Sequence, residues 1–252
     1  MKNIHFSVFV KITARVKINF QEFGERGQKI IFLHGWQQNS GSFLPLVPFF
    51  YQHFKLYLPD LPGFGKTPLP NRPFSSRDYA KVIAEWMNRA NIKETIVIGH
   101  SFGGKVASLL TYHYPKRVKK LILIAPSGIP ENHWWYRLTA KIPPRIKTTL
   151  SLALPKKTHS RDYNNAGPLL PTFKKIVKEN LRPILPNIKQ PALIIWGKED
   201  QELPFKNGQK IHKLLPNSKL EIVPGGHFPF WDNPKEISQI IKHFLKDVDE
   251  KN

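Results

Sequence analysis

The segment Gly99-His100-Ser101-Phe102-Gly103 stands between a run of β-forming residues (95–98) and a run suited to a helix (105–114). A strand that turns sharply into a helix around a G-x-S-x-G frame is a nucleophile elbow. Glycines at 99 and 103 lack a Cβ, so the helix can pass close to the strand while Ser101 is held in a strained backbone conformation. The frame therefore predicts a serine oxygen pushed out at the carboxyl end of a sheet. Other short apolar runs, at 30–33, 121–125 and 193–196, alternate with helical segments. That alternation points to an α/β fold, a mostly parallel sheet covered by helices on both faces. The 252 residues contain no Gly/Ser linker and no internal repeat, so one domain over 1–252 is expected.

A serine hydroxyl is a weak nucleophile at neutral pH and needs a base, which a third group must hold in one tautomer. Two further apolar runs end in turns with suitable groups. Residues 193–196 run into Gly197-Lys198-Glu199-Asp200, and residues 220–223 run into Pro224-Gly225-Gly226-His227. Hydroxyl, carboxylate and imidazole would then reach the same sheet edge, where ligands of open α/β sheets bind. On the residues alone, Glu199 and Asp200 compete for the role of acid, and His227 could be a surface turn histidine, although two preceding glycines suggest a backbone shaped to aim it.

Attack on a carbonyl also needs amides fixed in advance for the developing oxyanion. One is expected from Phe102, directly after the serine. The second is expected from Trp36, in the turn after the run at 30–33, where Gly35 permits the tight bend and His34 packs beneath the loop.

With these motifs in view, the chain resembles the α/β-hydrolase fold superfamily, in its small cap-bearing branch of serine esterases. The likeness runs from about residue 18 to 245 through His34-Gly35-Trp36, Asp60-Leu61-Pro62-Gly63-Phe64-Gly65, the elbow, Trp196-Gly197-x-x-Asp200-x-x-x-Pro204 and Gly226-His227-Phe228-Pro229. The stretch Ser-Arg-Asp-Tyr-Asn-Asn-Ala at 160–166 is also similar to small bacterial hydrolases. The resemblance selects Asp200 over Glu199 as the acid and makes the Asp60 segment a structural turn. Branches that cleave carbon–halogen bonds or epoxides carry Asp at the nucleophile position, and Ser101 argues against both. The resemblance further implies that residues 127–186, interrupted by eight prolines, form a lid of short helical pieces over the serine. Trp134, Trp135 and Phe228 are the expected substrate-binding residues, although the tryptophans could equally only pin the lid.

The reading that follows is a cytoplasmic hydrolase of a carboxylic ester that works through an acyl-enzyme. Acyl transfer, carbon–carbon hydrolysis and a binding protein that kept only the fold are the alternatives. No cofactor and no metal are expected, since neither metal-ligand spacing nor a nucleotide loop occurs. Zero cysteines exclude disulfides and thiolate chemistry. No run approaches the roughly 18 apolar residues of a membrane span, and the first residues are expected to form strands rather than a signal peptide. Oligomeric state is not set by any feature of the chain.

Thirty-nine Lys and Arg against eighteen Asp and Glu give a net charge of +21. Nucleic acid is the first partner such a charge suggests, but the basic residues are scattered and no nucleic-acid module is present. One asymmetry stands out: residues 137–186 hold eleven Lys/Arg and only two acids. A basic lid could rest on an anionic membrane surface or draw in an anionic substrate. Because exposed charges are screened beyond a Debye length of roughly 8 Å in physiological salt, steering predicts that kcat/KM for an anionic ester falls with added salt while that for a neutral ester barely moves. Equal salt responses, with no binding to anionic vesicles, would leave these charges as ordinary solvated surface.

Overall fold

The computed structural model describes residues 10–12, 16–130 and 161–249. Among them, β1 (Val10–Ile12) and β2 (Val16–Ile18) form a small antiparallel pair. Seven strands make the main sheet: β3 (Phe20–Phe23), β4 (Gln28–Leu33), β5 (Phe54–Pro59), β6 (Thr95–His100), β7 (Val118–Ile124), β8 (Ala192–Gly197) and β9 (Ser218–Val223). Their order is β3-β5-β4-β6-β7-β8-β9, with β3 antiparallel at one edge and every other pairing parallel.

The apolar runs seen in the sequence are continuous because both faces of the central strands are covered. Ile30, Phe32, Ile96, Ile98, Ile122, Ile124, Leu193 and Ile195 point to one face. Ile31, Leu33, Val97, Leu121, Leu123, Ile194 and Trp196 point to the other. Two-residue alternation thus feeds two cores, and each fully buried aliphatic side chain contributes roughly 1.5–3 kcal/mol.

Helices α2 (Ser76–Arg89), α3 (Phe102–His113) and α6 (Lys206–Leu214) cover one face through residues such as Ile83, Trp86, Val106, Leu110 and Ile211. The opposite face carries α1 (Val47–Phe50), the short α7 (Pro229–Asp232) and the long α8 (Pro234–Asp249). In α8, Ile237, Ile241, Phe244 and Leu245 are buried at helical spacing.

From β4 the chain passes outward to β5 and then crosses back to β6 on the other side of β4. The strand order reverses there, and a crevice opens at the carboxyl ends of strands on either side of such a switch point.

The described part of the proline-rich segment consists of short pieces, as expected: α4 (Arg161–Asn164), α5 (Leu170–Ile176) and single 3-10 turns at Gly167–Leu169 and Leu185–Asn187. Several bonds fasten it to the body. The Phe74 amide donates to Thr172 Oγ1 at 3.1 Å and the Ser76 amide donates to the Glu179 carboxylate at 3.0 Å, while within the segment the Leu181 amide donates to the Gly128 carbonyl at 2.8 Å.

From below, Lys105 of α3 donates through Nζ to the Ile176 carbonyl at 2.6 Å. Its side chain is buried, and burial pushes the ammonium pKa down to about 8 against the opposing pull of Glu179. Below pH 8 the folded chain holds a charge that the unfolded chain keeps hydrated at less cost. Above the ordinary lysine value both states are neutral, so the fold gains stability as pH rises from about 8 to about 10.5. Relative to Lys105→Met, the wild-type chain should gain on the order of 3 kcal/mol across that window. Denaturant unfolding of both proteins at several pH values reads this difference, and a flat difference would show that Lys105 keeps its charge hydrated.

Candidate active site

Ser101 directly follows β6 and has φ 49° and ψ −113°, a region that L residues rarely occupy. Its amide donates to the Ile124 carbonyl of β7 at 3.0 Å, which holds the turn against the sheet. The tightness has a steric origin. A Cβ on Gly103 would lie 2.0 Å from the Leu33 carbonyl oxygen, so only glycine lets α3 start beside the end of β4.

Asp200 follows β8 and His227 follows β9. Asp200 Oδ1 accepts from the amides of Glu202 and Leu203 at 2.9 and 2.8 Å, and its Oδ2 meets His227 Nδ1 at 2.8 Å. The carboxylate has no exposed surface and the imidazole very little. Since a carboxylate only accepts, Nδ1 carries the imidazole proton and Nε2 is left with a lone pair. Glu199, the competing acid, turns away and accepts from the Gly225 amide at 2.6 Å. It shapes the histidine turn without touching the ring.

Ser101 and His227 line one cavity of about 300 Å³, together with Gly35, Trp36, Asp162 and Phe228. Among the described residues no hydrogen bond joins the Ser101 hydroxyl to His227 Nε2; such contacts commonly tighten only when substrate is bound. A wider cleft of about 430 Å³ lies at the opposite, amino end of the sheet between Gly27, Lys93 and Lys119. It is lined by none of the serine, histidine or aspartate side chains above.

The loop after β4 is held by His34. Its Nε2 accepts from the Leu61 amide at 2.9 Å, and its Nδ1 donates to the Gly35 carbonyl at 2.8 Å. Burial drives its pKa down to about 4, so the ring is neutral with its proton on Nδ1. This is the packing beneath the loop that the sequence suggests. Trp36 is wedged among Phe64, Phe102 and Phe173, with ring centroids 4.9, 5.6 and 5.1 Å away. Among the described residues no acceptor engages the amide of Trp36 or that of Phe102, so both are free to donate. Asp60 has no such freedom, because its carboxylate accepts from Asn19 Nδ2, the Ser40 amide and the Lys66 amide.

Phe228 stacks on Trp231 with centroids 4.6 Å apart and forms part of the cavity wall. Trp134 and Trp135 lie outside the described residues, as do the basic residues 137–157. Where the basic segment does reach the cavity, charge is mixed: Arg161 and Asp162 line it together with Glu202.

Two neighbours were not singled out in the sequence. Glu202 brings Oε2 to 3.6 Å from His227 Nε2, too long for a hydrogen bond. His100, in the variable position of the elbow, contacts the His227 turn. Nothing in residue spacing distinguishes either one. Among the described residues no group of acids and histidines is placed to hold a metal ion, and no helix is long and apolar enough to cross a membrane.

A family model described as alpha/beta hydrolase fold matches residues 29–165 and 169–234. An uncharacterized protein of Mycobacterium tuberculosis is 28% identical over 258 residues, covering 87% of this chain and 75% of its own. A pimeloyl-(acyl-carrier protein) methyl ester esterase of Wigglesworthia glossinidia brevipalpis is 29% identical over 252 residues, covering 88% of this chain and 95% of its own. Among solved structures, an esterase from Exiguobacterium antarcticum superposes with a TM-score of 0.78 at 22% identity, covering 96% of this chain and 100% of that one. At that identity the likeness is one of fold.

The contrast between the two acids is directly testable. Asp200→Asn should lower turnover of a nitrophenyl ester by ~10⁴-fold, because it removes the negative partner of the imidazolium and selects the wrong tautomer. Glu199→Gln, which keeps an acceptor for Gly225, should change turnover little. The reverse ranking would move the acid one residue back.

Proposed function

Because the chain belongs to the alpha/beta hydrolase fold family, we propose that it is a serine esterase that cleaves a carboxylic ester through an acyl-enzyme. The observation that carries this reading is the 2.8 Å contact of Asp200 with His227 at a cavity shared with Ser101.

In the proposed reaction His227 Nε2 takes the Ser101 proton as the oxygen attacks the ester carbonyl. Asp200 holds the imidazolium that forms. The amides of Trp36 and Phe102 donate to the oxyanion, and being fixed beforehand they need not reorganise as charge develops. Collapse of the tetrahedral species breaks the bond to the leaving alcohol, which receives the proton from His227. Water then repeats the sequence in reverse and releases the acid. Phe228, which lines the cavity, is assigned to the acyl pocket. The absence of cysteine from the chain suits a cytoplasmic setting.

On substrate class, relatives such as the Wigglesworthia protein carry the name of a methyl ester esterase over nearly the same span. A methyl ester of a medium-length acyl chain is accordingly the first substrate to offer. A series of methyl esters of increasing acyl length should show a kcat/KM maximum, which reports the depth of the pocket.

A fluorophosphonate should label Ser101, and Ser101→Ala should abolish both labelling and turnover. His227→Ala should lower kcat by several orders of magnitude, since base and acid roles vanish together. Full activity in a folded Ser101→Ala protein would overturn the reading.

A further inference from the structure

His100 occupies the variable position of the elbow, one residue before Ser101, yet its side chain makes a long-range bond. Its Nε2 lies 2.9 Å from the main-chain oxygen of His227, 127 residues away. A carbonyl only accepts, so Nε2 carries the proton and donates. The ring is buried and sits against the rings of His227, Phe228 and Phe230, with centroids 4.7, 4.7 and 5.1 Å away.

On its other edge, Nδ1 faces the loop after β4. A Cβ on Gly35 would come within 3.0 Å of Nδ1 and 3.5 Å of the Ser101 Cβ. Among the described residues Nδ1 has no hydrogen-bond partner. One side chain therefore touches all three loops that meet at the cavity: the elbow that bears it, the Gly35–Trp36 turn and the His227 turn.

We propose that His100 is a positioning residue that sets where His227 stands relative to Ser101, through its hydrogen bond to the His227 carbonyl and its packing against Gly35. This rests on the serine esterase reading given above. The His227 turn is otherwise built from Pro224, Gly225 and Gly226, a backbone with little side-chain packing of its own. Glu199 fixes its start and Asp200 fixes the ring from the Nδ1 side. His100 fixes the main chain at His227 itself, from the nucleophile's own strand. Any displacement of β6 then carries serine and histidine together.

The ring that makes this bond is neutral. Burial holds its pKa well below the ordinary histidine range, and the nearby His227 and His34 push the same way. A neutral His100 also keeps a second positive charge away from the imidazolium that the reaction forms.

The experiment compares His100→Leu, which fills the space without a donor, with His100→Gln, whose side-chain amide places a donor near the position of Nε2. Fluorophosphonate labelling of Ser101, kcat and KM for a nitrophenyl ester, and the pH–rate profile are measured alongside the downfield NMR resonance of the His227 Nδ1 proton. In His100→Leu, kcat should fall by ~10- to ~100-fold with KM little changed, the scale of a small misplacement of a catalytic group. The apparent pKa of the acid limb should move, because His227 shifts relative to Asp200, Glu202 and Asp162, the acids around it. The Nδ1 resonance should shift or broaden, and His100→Gln should recover at least part of each effect. Should His100→Leu not fold, the proposal is judged on His100→Gln against His100→Asn, whose shorter amide cannot reach the carbonyl.

Unchanged kcat, pH profile and Nδ1 resonance in a folded protein without the donor would overturn the proposal. A loss of stability with normal kinetics in the surviving folded fraction would do the same, since it makes His100 a packing residue only. Failure of the esterase reading is separately visible, because the wild-type protein itself would then show neither labelling nor turnover.

Discussion

The close approach of α3 to the ends of β4 and β6 is the constraint from which the rest of the site follows. Gly103 lies so near the Leu33 carbonyl that any side chain there would overlap main-chain atoms. That contact forces the chain to reverse within the two residues after β6, and the reversal puts Ser101 at a positive φ. It also brings the loop after β4 against the elbow, where a Cβ on Gly35 would lie 3.5 Å from that of Ser101. The position of the serine and the closeness of the two loops are two consequences of one steric fact. The strain is tolerable because β6, paired on both sides, lies in the middle of the sheet, where the surrounding structure over-determines the turn.

Three imidazoles stand at this edge, His34 after β4, His100 at the end of β6 and His227 after β9, and burial separates their work. His34 and His100 are sealed from solvent, are held neutral by desolvation, and each keeps one tautomer through a main-chain partner. They act as neutral struts. Of the three, His227 and His100 both line the cavity, and only His227 has a carboxylate on Nδ1. An arrangement with two protonated rings 4.7 Å apart would be penalised by repulsion as well as by desolvation. Keeping His100 uncharged is therefore a condition for a charge to appear on its neighbour.

Much of the sheet was legible because a strand buried on both faces needs an unbroken apolar run, and short unbroken runs are easy to see. The runs at 30–33, 95–98 and 193–196 fall within strands of the sheet, and that at 121–125 overruns its strand by one residue, Ala125. β9 was less legible, since it is an edge strand with several exposed residues, and Leu220 and Val223 carry only a partial signal. Ser101, Asp200 and His227 were conspicuous for standing just past strand ends, beside glycines. The choice between Glu199 and Asp200 was not available from the residues alone, because side-chain direction in an irregular turn depends on which amides are near. Here the amides of Glu202 and Leu203 hold Asp200 inward, while that of Gly225 draws Glu199 outward. His100 was unreadable for a related reason: its partner is a backbone carbonyl, and every residue has one.

Charge separates the scale of the whole chain from the scale of the cavity. A net charge of +21 sets the field that an approaching anion meets at a distance. Within the cavity that field gives way to a few close groups. Asp162 is half-buried, and its carboxyl pKa is raised first by burial and then by Glu202, with His227 and Arg161 opposing. The nearby Glu202 charge thus opposes ionisation of Asp162, while Arg161 on the same cavity wall favours it. Long-range attraction and local charge balance act on different steps, the first on encounter and the second on the reaction at Ser101.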